Sequence, residues 1–164
     1  MPHQQVIDGL EFARAEATLR GTWPIADLPR LRDALATDAG SLQYELRGGR
    51  DGQGRLALRL TVRGTLQLAC QRCLGAMPFA VEIDRELALA SSQAEIDSEP
   101  LEIAGSDWIL AAKEMPLRDL LEDELLLEVP VAPRHAQCSA QAVERAPARR
   151  SPFSALRGLM RGKQ

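Results

Sequence analysis

Two pairs of metal-type ligands stand far apart in this chain. Cys70 and Cys73 are separated by two residues in Leu66-Gln-Leu-Ala-Cys70-Gln-Arg-Cys73-Leu-Gly75. His135-Ala-Gln-Cys138 repeats the same spacer. Two thiols on a tight turn can face one ion, and a Cys3His set supplies the four ligands of a closed structural zinc site. The long gap between the pairs means that only the fold can bring them together. Two other readings remain open. A thioredoxin-type Cys-x-x-Cys opens a helix, whose N-terminus lowers the thiol pKa, whereas strand-like residues flank this pair. Alternatively, Cys70 is a small strand residue, Cys73 a turn residue and His135 a surface histidine, without chemistry.

The flanking sequence indicates a β-hairpin. Leu66, Leu68 and Cys70 alternate with polar or small residues, and Met77, Phe79, Val81 and Ile83 alternate again after Gly75 and Pro78. Period-2 alternation is the signal of a half-buried strand. Leu42, Tyr44 and Leu46 form an earlier strand, and Leu56, Leu58, Leu60 and Val62 the clearest one. The glycine-rich stretch 48–54 between them lacks the following Gly-Lys-Ser/Thr of a phosphate loop and reads as a hairpin turn. Gly64 reads as a further turn into the cysteine strand. Short turns between successive strands imply an antiparallel meander.

Helices are expected at two places. Leu28, Leu31 and Leu35 recur at helical spacing after Asp27 and Pro29, predicting a helix over 28–37. Pro116 opens a second over 116–128, with Leu117, Leu120, Leu121 and Leu125 as its buried face. The acids Glu122, Asp123 and Glu124 then read as a solvated face, available to a basic partner. Residues 5–15 suggest a short strand or helical turn, 17–23 a strand ended by Pro24, 90–100 an acidic loop, and 103–109 a short strand around Trp108.

Composition sets the outer bounds. The 164 residues are 45% apolar, enough for a real core, and only 4% aromatic, so that core must be mainly aliphatic. A formal charge of -3 hides an asymmetry. Residues 82–128 hold fourteen acids against three bases, whereas 145–164 hold six bases and no acid. The expected organisation is an α+β domain over 1–142 and a flexible basic tail over 143–164, with a short apolar patch at Phe153, Leu156, Leu159 and Met160. The domain is expected to be an antiparallel β-meander or small partly closed barrel packed by two main helices. Arg149, Arg150, Arg157, Arg161 and Lys163 are the candidate RNA-binding residues of the tail. Met1-Pro-His-Gln-Gln-Val-Ile-Asp lacks a basic start and an apolar run, so a cytoplasmic protein with reduced thiols is expected. No Ser-His-Asp order, P-loop or paired-carboxylate motif points to an enzyme.

Three blocks in order resemble the YceD-like family of large ribosomal RNA subunit accumulation proteins. They are Leu68-Ala-Cys70-Gln-Arg-Cys73-Leu with Pro78-Phe79, then Asp119-Leu-Leu-Glu-Asp-Glu-Leu-Leu-Leu-Glu-Val-Pro130-Val-Ala-Pro133-Arg-His135 followed by Cys138, then Pro152-Phe-Ser-Ala-Leu. The acidic helix running into Pro-x-x-Pro-x-His is the most specific of these. The resemblance covers residues 65–160. It implies a β-rich fold with helices and a non-enzymatic role in synthesis, processing or stability of 23S ribosomal RNA. The implied partner is that RNA or its precursor particle, with no membrane. The rival expectation is a protein-binding adaptor whose acidic face recruits a basic ribosomal protein or an RNA-processing enzyme. The resemblance does not supply the zinc site, which stays a reading of the four residues themselves.

Overall fold

Alternation over three long runs builds the centre of the molecule. The structure, a computed structural model, describes residues 5–98 and 107–138. Strands β4 (Ser41–Arg50), β5 (Leu56–Ala69) and β6 (Ala76–Ala90) form a continuous antiparallel meander. Leu42, Tyr44 and Leu46 of β4, Leu58, Leu60, Val62, Leu66 and Leu68 of β5, and Val81, Ile83, Leu87 and Leu89 of β6 are all buried. The intervening positions, among them Arg47, Arg59, Arg63, Glu82 and Asp84, are exposed.

Before the meander come β1 (Val6–Ile7), α1 (Gly9–Arg14), β2 (Thr18–Pro24) and β3 (Leu35–Thr37). After it come α2 (Gln93–Ser98), β7 (Asp107–Leu110), β8 (Met115–Pro116) and α3 (Leu117–Glu128). The main sheet runs β2-β4-β5-β6-β7, and β3 pairs with the far end of β5. Its pairings are antiparallel except for β6 with β7, which is parallel. β1 and β8 form a separate two-stranded ribbon. Among the described residues the sheet does not close, with β2 and β7 as its ends, so there is no closed barrel.

α3 covers the inner face of the sheet through Leu117, Leu120, Leu121 and Leu125, the leucines expected from their spacing. Truncating one such leucine typically costs about 2–5 kcal/mol, so this face fixes the helix firmly. Pro116 occupies the N-cap, and Val129 closes the helix with its N–H on the Leu125 carbonyl. The opposite face is not simply solvated. Glu122 is buried and its Oε1 accepts the backbone N–H of Arg30 at 2.8 Å. Asp123 pairs with the Arg30 guanidinium. Glu124 is also buried, beside Arg85 of β6. A fully solvated face of Glu122, Asp123 and Glu124 is therefore corrected: α3 is wedged between β6 and the 29–34 segment, Glu122 and Glu124 are buried, and Asp123 is exposed but paired with Arg30.

Three further expectations are corrected. The 28–37 helix is two short 3-10 segments, Ile25–Asp27 and Pro29–Ala34, followed by β3. Leucines three apart suit a 3-10 turn as well as an α-helix. Leu35 instead pairs with Leu68 of β5. Gly64 is not a turn but lies within β5, opposite Val81. A Cβ there would lie 2.6 Å from Leu42 Cδ2, so glycine permits close packing rather than reversal. Part of the 90–100 loop is α2, where the Glu95 carboxylate accepts the Ser91 N–H at 2.8 Å. The 5–15 segment, expected as a short strand or helical turn, holds both, β1 and α1, the latter capped by Asp8 accepting from the Glu11 N–H at 3.0 Å.

Candidate metal centre

The β5–β6 hairpin tip places the first ligand pair. Cys70 follows Leu66 and Leu68 on the inward face and is fully buried. Its N–H donates to the Gly75 carbonyl at 2.9 Å, and the Leu74 N–H returns to the Cys70 carbonyl at 2.8 Å. Leu74 takes a left-handed conformation, φ 60°, which curls the turn and leaves its side chain exposed. Cys73 sits at this tip. The second pair lies just beyond α3. Val129 turns extended at the helix end, and Pro130 and Pro133 carry the chain away, since proline cannot continue the helix. The Gln71 N–H then donates to the Pro133 carbonyl at 2.8 Å, joining the two segments backbone to backbone.

The fold thus brings together all four residues expected as ligands. Cys70, Cys73, His135 and Cys138 present ligand atoms that all lie within 4.8 Å of one another. Cys70 Sγ is 3.6 Å from Cys138 Sγ, and His135 Nδ1 is 3.4 Å from Cys73 Sγ and 3.9 Å from Cys138 Sγ. Tetrahedral zinc, with bonds of about 2.3 Å to sulfur and about 2.0 Å to nitrogen, needs ligand-to-ligand separations of roughly 3.5–3.8 Å. Three of the six separations lie within about 0.1–0.4 Å of that requirement, and none exceeds 4.8 Å, so small side-chain movements would close the cluster on an ion.

The histidine ring is also oriented for ligation. His135 Nε2 lies 3.1 Å from the Ala76 carbonyl. A carbonyl can only accept, so Nε2 carries a proton and donates it there. In the neutral ring, Nδ1 then presents its lone pair to the three thiols. A backbone carbonyl fixing the tautomer in this way is a regular feature of metal-binding histidines. The thiols show the complementary electrostatics. Burial raises the Cys70 pKa, but backbone N–H groups of His135, Arg72 and Cys73, with the Cys138 thiol, outweigh it and lower the pKa to about 5. Cys138 moves the other way, raised by burial and by hydrogen bonding and charge from Cys70 and Cys73. One thiolate is favoured and a second beside it is disfavoured, a conflict that a bound cation relieves.

The other expected site residues fall elsewhere. Glu122, Asp123 and Glu124 occupy the α3 contacts described above. Arg149, Arg150, Arg157, Arg161 and Lys163, with the whole 143–164 tail, lie outside the described residues. Sequence reasoning did not find the Ala76 carbonyl or the Gln71–Pro133 bond. Both are backbone contacts, which no residue type announces.

The chain matches the family of large ribosomal RNA subunit accumulation proteins, YceD, over residues 58–159. That span holds all but the first two residues of β5, the whole of β6 and α3, and all four candidate ligands, and it is over half of the sequence. The chain therefore belongs to this family, whose name ties it to accumulation of large-subunit ribosomal RNA and describes no enzyme. Comparison with curated proteins gives no match. Comparison with solved structures gives none either. Among the described residues, no helix is long and apolar enough to cross a membrane.

Proposed function

We propose that this protein is a non-enzymatic ribosome-biogenesis factor supporting the synthesis, processing or stability of 23S ribosomal RNA in the cytoplasm. The observation that carries this reading is the family match over residues 58–159. The Cys3His cluster supports a structural role for zinc beside it. Four protein ligands leave no open coordination position, the feature that catalytic zinc sites retain. In this role Cys70 and Cys73 hold the hairpin tip, while His135 and Cys138 hold the segment that leads into the basic C-terminal region. When bound, zinc would supply the cross-link between them.

RNA contact is assigned to the tail bases Arg149, Arg150, Arg157, Arg161 and Lys163, which can neutralise phosphates and release condensed counterions. The adaptor alternative has less support, because Glu122 and Glu124 are buried and Asp123 is paired within the chain. Crosslinking the tagged protein in cells, followed by identification of both RNA and protein, tests the proposal. Enrichment of large-subunit ribosomal RNA is expected. Recovery of a protein partner alone, with no ribosomal RNA above background, would favour the adaptor.

A further inference from the structure

The outer face of the sheet, turned away from α3, carries a charge cluster that has no part in the metal centre. Outward positions of β2, β4 and β5 place Arg20, Arg47, Arg59 and Arg63 around an open basin of about 680 Å³. Two carboxylates, Glu45 and Asp84, line the same basin. Glu45 is shared between Arg20 and Arg47. Asp84 accepts two hydrogen bonds from Arg59, both 2.8 Å. Arg63 is exposed and makes no direct ion pair among the described residues. The basin is therefore left with two more guanidiniums than carboxylates.

Cross-strand pairing explains part of this arrangement, because Arg20 lies opposite Glu45, Arg59 opposite Glu86 and Arg63 opposite Glu82, and it leaves Arg47 unexplained. Register puts Arg47 directly opposite Arg59, and like charges directly opposite are destabilising. All three strands could have carried threonine at these outward positions, as β5 does at Thr61 between two arginines. The surface also has a boundary: β6 contributes an acidic outer row, with Glu82 in register with Arg63 and Glu86 with Arg59. An anion is thereby confined to the β2–β4–β5 side. The basin's one aromatic, Tyr44, is buried, and its hydroxyl donates to Gln5 Oε1 at 2.9 Å. Stacking of bases is thus not available, whereas guanidinium forks match phosphate oxygens in pairs.

We infer that this basin is a phosphate-backbone site, which takes the sugar–phosphate chain of single-stranded RNA along β4 and β5 without reading its bases. The inference rests on the RNA role proposed above and adds a second contact surface to the tail. In the free protein, Glu45 and Asp84 hold the guanidiniums in place and limit their mutual repulsion. RNA phosphates compete with these carboxylates for the same N–H groups. Removing a carboxylate should therefore strengthen binding, and removing guanidiniums should weaken it.

The test is a salt titration of fluorescently labelled oligouridylate binding to the full chain, read by anisotropy. The combined Arg47→Gln, Arg59→Gln and Arg63→Gln variant should bind at least about tenfold more weakly at low salt, with a log–log salt slope shallower by up to about 2. Glu45→Gln should bind several-fold more tightly. That second variant decides the matter alone if the triple variant does not fold. If the wild-type chain binds RNA and both variants bind as it does, the basin is not the site, while the RNA role through the tail stands. If the wild-type chain shows no RNA binding at physiological salt, the RNA role and the basin fall together. If polyglutamate displaces oligouridylate as effectively as unlabelled RNA of equal charge, the basin suits acidic polypeptides and the RNA assignment is overturned.

Discussion

Gln71 and Pro133 are joined by a 2.8 Å backbone hydrogen bond, so the hairpin tip and the segment after α3 meet independently of any thiol. The leucine face of α3 and the β5–β6 register hold both segments in position. Metal binding is thus expected to tighten a contact that the polypeptide already makes, rather than to create the whole fold.

Cys73 offers a way to separate metal from packing, because it is exposed at the turn. Cys73→Ser should leave the chelator-treated protein within about 0.5 kcal/mol of wild type, as expected for surface substitutions. With zinc present, the variant should melt below wild type. Thermal melts of both proteins with and without chelator make the comparison. Equal melting in zinc would show that Cys73 is not a ligand.

Glu124 should make stability depend on pH in an unusual direction. Its Oε2 is buried without a hydrogen-bond partner among the described residues, and Arg85 Nε is 3.9 Å away. Burial is the main cause that raises its pKa, followed by the charge of Asp107, with Arg85 opposing. The folded state then binds a proton more readily than the unfolded state. Its contribution is favourable below the ordinary glutamate pKa and is lost as pH rises through the raised value. Glu124→Gln should stabilise the protein at neutral pH by an amount on the order of 1 kcal/mol, the scale of a buried unsatisfied group. It should also flatten the pH dependence above the ordinary carboxylate range. Chemical denaturation at several pH values checks both.

Gly48 marks where α1 crosses the sheet. A Cβ at this position would lie 2.3 Å from the Phe12 carbonyl oxygen and 2.7 Å from Ala13 Cα, both backbone atoms. Gly48→Ala should therefore cost about 1–3 kcal/mol, the usual range for overpacking. Gly49, with open space around it, is the control, and Gly49→Ala should be far milder. Urea denaturation of the two variants tests the contrast.

Removal of residues 145–164 should leave the remaining domain folded, because that stretch is basic and poor in core-forming residues. Its melting temperature should match that of the full chain within about 2–4 °C, equivalent to about 1 kcal/mol. A larger loss would mean that Phe153, Leu156 and Leu159 pack on the domain.

Much of this fold is legible from local pattern. The alternation of β4, β5 and β6 and the leucine spacing of α3 report which face is inside, and the structure follows them. The paired spacing of Cys70/Cys73 and His135/Cys138 likewise anticipated a four-residue cluster. What remained hidden depends on distant neighbours. Glu122 is buried because the Arg30 N–H waits for it in a segment far away in sequence. Gly64 reads as a turn locally, yet the crowding of Leu42 against β5 is what requires it. Leu28 and Leu31 fit an α-helix by spacing, but the segment forms two 3-10 turns and then passes into β3, where Leu35 pairs with Leu68. The basic basin was not read from the sequence, although Arg59 and Arg63 alternate with apolar residues on β5. Its meaning needed the register that aligns Arg47 with Arg59.

The most direct measurement is the zinc content of protein purified without a metal-binding tag, taken together with its melting temperature before and after chelation. The account predicts about one zinc per chain and a clear fall in melting temperature on its removal, since structural zinc contributes its binding energy to folding. Less than about a tenth of an equivalent, with melting unchanged by chelator, would contradict a structural zinc centre at Cys70, Cys73, His135 and Cys138.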